Sequence, residues 1–139
     1  MSQELSPPDV ALNHVLEFVK TIEAGGGSAE IQPFLAPDFQ LTEAPNLLAP
    51  EGAVRSLAQV LEGADASRQV VKDQRFRVTS STSDGVNVVL EVDWSATSLM
   101  DLRYWDRGQQ IRAKTCSVFG VRDGLIYRQS SYDCYHQED

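Results

Sequence analysis

The chain has 139 residues, 42 % of them hydrophobic, which suits one globular domain (1–139) burying roughly two thirds of its unfolded surface and leaves no room for a second. Twenty acidic against twelve basic residues give a formal net charge of -8. A nucleic-acid backbone would therefore be repelled, and no run of Lys and Arg offers a local exception, so no nucleic-acid partner is expected. No stretch approaches the about 20 apolar residues of a membrane span, and the start, MSQELSPPDVALNHVLEF, lacks a basic segment and an unbroken apolar core, so the expectation is a cytoplasmic protein with no membrane contact.

Pro7 and Pro8, with Ser6 as N-cap, predict a helix in which Leu12, Val15, Leu16, Val19 and Ile22 recur at helical spacing until Gly25, Gly26 and Gly27 stop it. A short helix is predicted over 30–35. A strand, FQLTE, follows, with Phe39, Leu41 and Glu43 on one face, ended by Pro45 and Asn46. The segment PEGAVRSLAQVLEG, residues 50–63, puts Val54, Leu57, Ala58 and Leu61 on one stripe and predicts a third helix closed by Gly63. From about Val70 onward the chain reads as an antiparallel meander: VVKDQRFRVTS, VNVVLEVDWSAT, QQIRAKTCSVFGVR and LIYRQSSYDCY. Helices first and strands after give an α+β fold.

Two turns carry a glycine signal. A two-residue Asp123-Gly124 turn pairs Val121 with Ile126, and hence Phe119 with Arg128, Ser117 with Ser130, Thr115 with Tyr132 and Lys114 with Asp133. In the preceding hairpin a three-residue loop over 83–85 aligns Val78 with Leu90 and Phe76 with Val92, keeping apolar residues together. In the last hairpin Cys116 and Cys134 fall on opposite faces, so no intrachain disulfide is expected.

The final strand carries Arg128, Gln129, Ser130, Ser131 and Asp133 where a buried strand would carry aliphatics. Helices covering a strongly curved sheet leave a cone whose wide end is incompletely filled, and ligands bind in such spaces. On the face of Val121 and Ile126 the chain offers Phe119, Ser117, Thr115, Ser130, Tyr132 and Cys134, a gradient from aliphatic to hydroxyl that suits a semi-polar cavity. Trp94 alternates inward with Leu90 and Val92 to form an aromatic wall with Phe76. The apolar stretch 98–108, with Leu99, Met100, Leu102, Tyr104 and Trp105, has three open readings: a lid on the cavity, a contact with a partner subunit, or an extension of the flanking strands.

VFGVRDGLI followed by YDCY, preceded by FLAPDFQLTEAPNLLAPEGAVRSLAQVLEG and VLEVDWSAT, resembles the SnoaL-like branch of the nuclear transport factor 2 superfamily, which also holds ketosteroid isomerases, epoxide hydrolases, dehydratases and polyketide cyclases. The resemblance runs from the first helix to Tyr135. It implies a cone-shaped, strongly curved antiparallel sheet with three N-terminal helices on its concave face. It also implies a homodimer through the convex face, where the outer row Lys114, Cys116, Val118, Gln129, Ser131 and Asp133 is expected.

Fold does not select among the superfamily's reactions. Matched on Pro45, the isomerase base falls on Ala44, one residue after Glu43, whose strand parity points it inward as a base. The isomerase's two oxyanion donors match Phe18 and Ser117, neither of them the expected residue, which argues against that oxyanion hole. His14, one helical turn before Phe18, is a candidate acid-base imidazole. The expected catalytic set is thus Glu43 as base with His14 or Tyr132 as donor, and Phe18, Trp94, Ser117, Phe119 and Ser130 as substrate-binding residues. No metal-ligand spacing, phosphate loop or nucleophile elbow occurs, so no cofactor and no metal are expected. The expected ligand is a hydrophobic, oxygenated small molecule, acted on by a cofactor-independent isomerase, cyclase or dehydratase. The alternative is a ligand-binding or assembly module without chemistry.

Overall fold

A computed structural model of the chain describes residues 6–136. Helix α1 spans Pro7–Glu23, with the Ser6 side chain accepting from the Asp9 amide at its start and Gly25 at φ +89° beyond its end, as the sequence predicts. The short second helix begins two residues earlier than predicted. The Asp65 carboxylate accepts from the Ser28 amide (2.9 Å) and hydroxyl (2.7 Å), which fixes the start of α2 (Ser28–Ile31); a 3-10 turn, Gln32–Phe34, follows.

Strand β1 runs Leu35–Glu43 and β2 Ala53–Ser56, so the front of the predicted third helix is a strand instead. Helix α3 (Leu57–Ser67) starts where Ser56 and Gln59 cap each other reciprocally, a stronger start signal than the apolar stripe that pointed further upstream. Gly63 lies inside this helix, not at its end. The meander is as predicted: β3 (Val71–Ser83), β4 (Asn87–Ser98), β5 (Gln110–Arg122) and β6 (Leu125–Tyr135).

These strands form one curved, unclosed sheet in the order β2-β1-β6-β5-β4-β3, antiparallel except for the parallel β1–β6 pair. Helix α1 lays Ala11, Val15, Phe18 and Val19 against Val88, Leu90, Val92, Phe119, Val121 and Ile126, and α3 adds Leu57, Val60 and Leu61. The inner face is therefore solid and aliphatic towards the two hairpin turns. No helix among the described residues is long and apolar enough to cross a membrane.

Neither predicted register holds, one because of a bulge and the other because of its turn. In the last hairpin Val121 pairs with Ile126 as expected, but Gly120 pairs with Arg128, leaving Tyr127 as an extra residue in β6. A Cβ on Gly120 would lie 2.7 Å from the Tyr127 ring and 2.8 Å from Arg128 Cγ, so both side chains occupy the space that glycine leaves open. Beyond this point every residue of β6 is reversed relative to the unbulged hairpin. Ser117 pairs with Ser131, Thr115 with Asp133, Cys116 with Tyr132 and Lys114 with Cys134.

Gln129, Ser131, Asp133 and Tyr135 thus share the inner face with Phe119, Ser117, Thr115 and Ala113. Ser130, Tyr132 and Cys134 face out. This corrects the expected inward Ser130 and Tyr132, and the expected outer row loses Gln129, Ser131 and Asp133. It also puts Cys116 and Cys134 on the same outer face, where both are free. In the β3–β4 hairpin the predicted loop over 83–85 is replaced by a longer one, Ser83 pairing with Val88, and with a further irregularity between Val78 and Ser80 this brings Val78 opposite Val92 and Phe76 opposite Trp94, while Gly85 takes a left-handed position in the turn at φ +97°.

Candidate active site at the open end of the sheet

Away from the hairpin turns the inner face becomes polar. Glu43 closes β1 on the inner side with Phe39 and Leu41, as the strand alternation predicts, and pairs in parallel with Ser131. The Ala44 amide donates to the Ser131 carbonyl at 2.9 Å, which extends this pairing past the strand's end. Ser131, 8 % exposed, donates its hydroxyl to Asp133 Oδ1 at 2.8 Å. Arg55 on β2 reaches Glu43 Oε2 through Nε at 3.3 Å; with the guanidinium side chain 47 % exposed, this contact orients more than it stabilises.

The two carboxylates face each other's field. Burial pushes the Asp133 carboxyl above its ordinary value, the Ser131 hydrogen bond pulls it back, and the negative charge of Glu43 pushes it up again. The neighbouring phenol of Tyr135 is pushed up to about 12, first by burial and then by the charges of Asp133 and Glu43. A raised carboxyl can hold a proton that an ordinary one would have released. This arrangement of a carboxyl raised by burial beside a second carboxylate suits general acid-base chemistry.

Aromatic rings wall this region. Trp94, inward on β4, meets the Tyr135 ring edge-on at 6.3 Å between centroids, and its indole N–H donates to Gln74 Oε1 at 3.1 Å. Trp105, only 3 % exposed, comes from the 98–108 stretch and lies 5.9 Å from Tyr135. The stretch does not extend the flanking strands, which end at Ser98 and resume at Gln110, and its buried tryptophan packs against Tyr135. Ser117, 9 % exposed, accepts from the Gln129 amide at 3.4 Å on the same face.

Of the predicted site residues, Glu43, Trp94 and Ser117 are brought to one face. Phe18 and Phe119 are inward but sit in the solid core, 6.3 Å apart edge-to-face. His14 lies nearer the hairpin turns, its Nε2 3.1 Å from the Phe34 carbonyl oxygen, beside a groove of about 400 Å³ lined by Pro7, Val10, Gly85 and Gly124. Because a carbonyl only accepts, Nε2 carries the proton, so the ring serves as a brace to the 3-10 turn. Ser130 faces out, and Tyr132 is 52 % exposed on the outer side. Residues that the sequence reasoning missed are Ser131, Asp133, Tyr135 and Trp105. The available signal was Gly120: a glycine inside a strand opposite a tyrosine and an arginine marks a bulge, and the bulge reverses β6.

Comparison with known proteins agrees with the fold. The model of the SnoaL-like domain matches residues 15–129. No curated protein matches in sequence. Among solved structures, a candidate polyketide cyclase of Xanthomonas campestris pv. campestris superposes with a TM-score of 0.75 at 21 % identity, covering 91 % of this chain and 92 % of that one. IdmH, a candidate polyketide cyclase of Streptomyces antibioticus, gives 0.73 at 16 % identity over 93 % and 92 %. AclR, a candidate hydroxylase of Streptomyces galilaeus, gives 0.74 at 16 % identity over 92 % and 80 %. The chain belongs to the SnoaL-like family, within the nuclear transport factor 2-like superfamily.

Proposed function

We propose that the chain binds a hydrophobic, oxygenated small molecule at the open end of the sheet and moves a proton on it without a cofactor. The observation that carries this reading is the placement of Asp133 beside Glu43 on the inner face, with the Asp133 carboxyl pushed up by burial and by Glu43. Glu43 takes a proton from carbon next to a carbonyl. Protonated Asp133 and the Tyr135 hydroxyl donate to the carbonyl oxygen as it gains charge, and the resulting enol goes on to isomerise, cyclise or eliminate. The similarity to candidate polyketide cyclases supports this class of chemistry. A small-molecule guest is further supported by a ketosteroid isomerase-like structure from Catenulispora acidiphila in complex with trimethylamine.

The test is deuterium exchange at the acidic carbon of benzoylacetone in heavy water. Glu43→Gln and Asp133→Asn should each slow the protein-catalysed exchange by about a hundredfold or more, while the surface control Ser81→Ala leaves it unchanged. Equal rates in all four proteins would contradict the assigned roles. The second reading is binding without chemistry, favoured by Phe18 and Ser117 standing where the isomerase branch has its oxyanion donors; it predicts that the ligand binds and no exchange is accelerated.

Two copies are proposed to meet over the β5–β6 part of the outer face, where Val118, Ser130 and Tyr132 point outward and an exposed tyrosine is a typical interface anchor. Tyr132→Glu should then convert a dimer to a monomer in sedimentation. An unchanged sedimentation coefficient would remove that contact.

A further inference from the structure

A hydroxyl at a buried strand position costs free energy unless it is hydrogen-bonded. Ser131 is such a residue, 8 % exposed, and it donates to Asp133 Oδ1 at 2.8 Å. Two positions apart on one strand, about 6.6 Å along it, the two side chains share the inner face. The backbone of Ser131 is held from both sides. Its carbonyl accepts from the Ala44 amide at 2.9 Å, and its Cα stands opposite Glu43 on β1 and Ser117 on β5. Ser131 is therefore locked to the strand that carries Glu43 while its side chain holds Asp133.

This hydrogen bond makes the two oxygens of the Asp133 carboxyl unlike. Oδ1 accepts from Ser131, whereas Oδ2 takes no hydrogen bond from any other described residue. A carboxyl that gains a proton places it on the oxygen whose lone pairs are not already engaged, here Oδ2. Among the described residues, the charged and titratable groups that face Asp133 are Glu43 on β1, with Arg55 of β2 at its Oε2, and Tyr135 further along β6. Strand β5 sets the uncharged Thr115 opposite.

Resting on the assignment of Asp133 as proton donor made above, we propose that Ser131 is its positioning residue: the hydroxyl holds Oδ1, so that Oδ2 carries the proton and presents it to the carbonyl oxygen of the bound molecule. As Glu43 removes the proton from carbon, Oδ2 gives its own to that oxygen, so the enol forms with one proton taken and one supplied. The same hydrogen bond favours the ionised carboxylate and works against the upward push of burial and of the Glu43 charge. An acid held closer to its ordinary range gives up its proton more readily, so Ser131 both aims the donor and keeps it strong.

The experiment follows two quantities in the parent chain, Ser131→Ala and Ser131→Thr: the titration of the Asp133 carboxyl by carbon NMR, and the pH profile of deuterium exchange into benzoylacetone. Ser131→Ala should raise the Asp133 inflection, since the ionised form loses a donor, and should move the descending limb of the exchange profile to higher pH with it. On the acid side of that limb the rate should fall about tenfold, because the acid is no longer aimed. Ser131→Thr keeps the hydroxyl and should restore both limb and inflection. A serine that only fills space would, on removal, lower the rate at every pH and leave limb and inflection in place. That result, or an inflection that moves while the limb stays, overturns the role of Ser131 alone. A parent chain that accelerates no exchange at any pH overturns the proton-transfer reading, and the role of Ser131 falls with it.

Discussion

Gly120→Ala puts the strand register to a stability test. A Cβ at this position would stand 2.7 Å from both Cε1 and Cζ of Tyr127 and 2.8 Å from Arg128 Cγ, distances that side chains do not sustain. The Tyr127 ring is not free to swing away at no cost, since the Arg122 guanidinium lies over it at 4.6 Å. Displacing a packed ring and its cation partner belongs to the overpacking class, about 1–3 kcal/mol. For a chain of 139 residues this corresponds to about 3–10 °C in Tm. Thermal unfolding by circular dichroism measures it directly. The cause is isolated by repeating the change in a Tyr127→Ala background, where the ring is gone and Arg128 alone must move: the cost should fall by more than half. An Ala at 120 that costs nothing, or costs the same in both backgrounds, would refute the bulge and with it the inward placement of Asp133.

Three further outcomes follow from the open end of the sheet. Since the folded-state carboxyl of Asp133 is raised, its contribution to stability is fully present below the ordinary value of 3.8 and is lost as pH rises through the folded value. Asp133→Asn should therefore be more stable than the parent chain in urea at neutral pH, with the difference closing near pH 4; a variant less stable at neutral pH would contradict this sign. Alkaline difference spectra should show one phenol still neutral as pH approaches about 12, and Tyr135→Phe should remove that late phase. Trp105→Ala should cost about 3–5 kcal/mol by chemical denaturation, the range for losing a buried tryptophan, whereas a loop ring resting on the surface would cost under about 1 kcal/mol.

Most of the fold is legible in the sequence because its signals are local. Ser6, Pro7 and the glycines at 25–27 delimit α1, and alternating runs bounded by Gly85 and Gly124 delimit the four meander strands. Glu43 is legible for the same reason: parity with Leu41 suffices, as the pairing of β1 with β6 runs unbroken from Gln40 to Glu43. The rest of the site fails at one residue. Turn chemistry fixes Val121 against Ile126, but a single bulge at Tyr127 reverses everything beyond it, so a reading that extends the hairpin without a break exchanges Tyr132 for Asp133 and Ser130 for Ser131. Strand β2 is hidden differently. Four residues, Ala53–Ser56, gain their strand conformation from pairing with β1, a long-range contact that helical periodicity over 50–63 masks. Trp105 belongs to neither kind, since its burial over Tyr135 depends on how the 98–108 stretch folds back.

The measurement that bears most directly on the Glu43–Asp133 site is the titration of the Asp133 side-chain carboxyl by carbon NMR, in the parent chain and in Glu43→Gln. The inward placement predicts an inflection above the ordinary value of 3.8 in the parent chain and a lower one once the Glu43 charge is removed. An inflection at or below 3.8, unmoved by the substitution, would put Asp133 in solvent and away from Glu43.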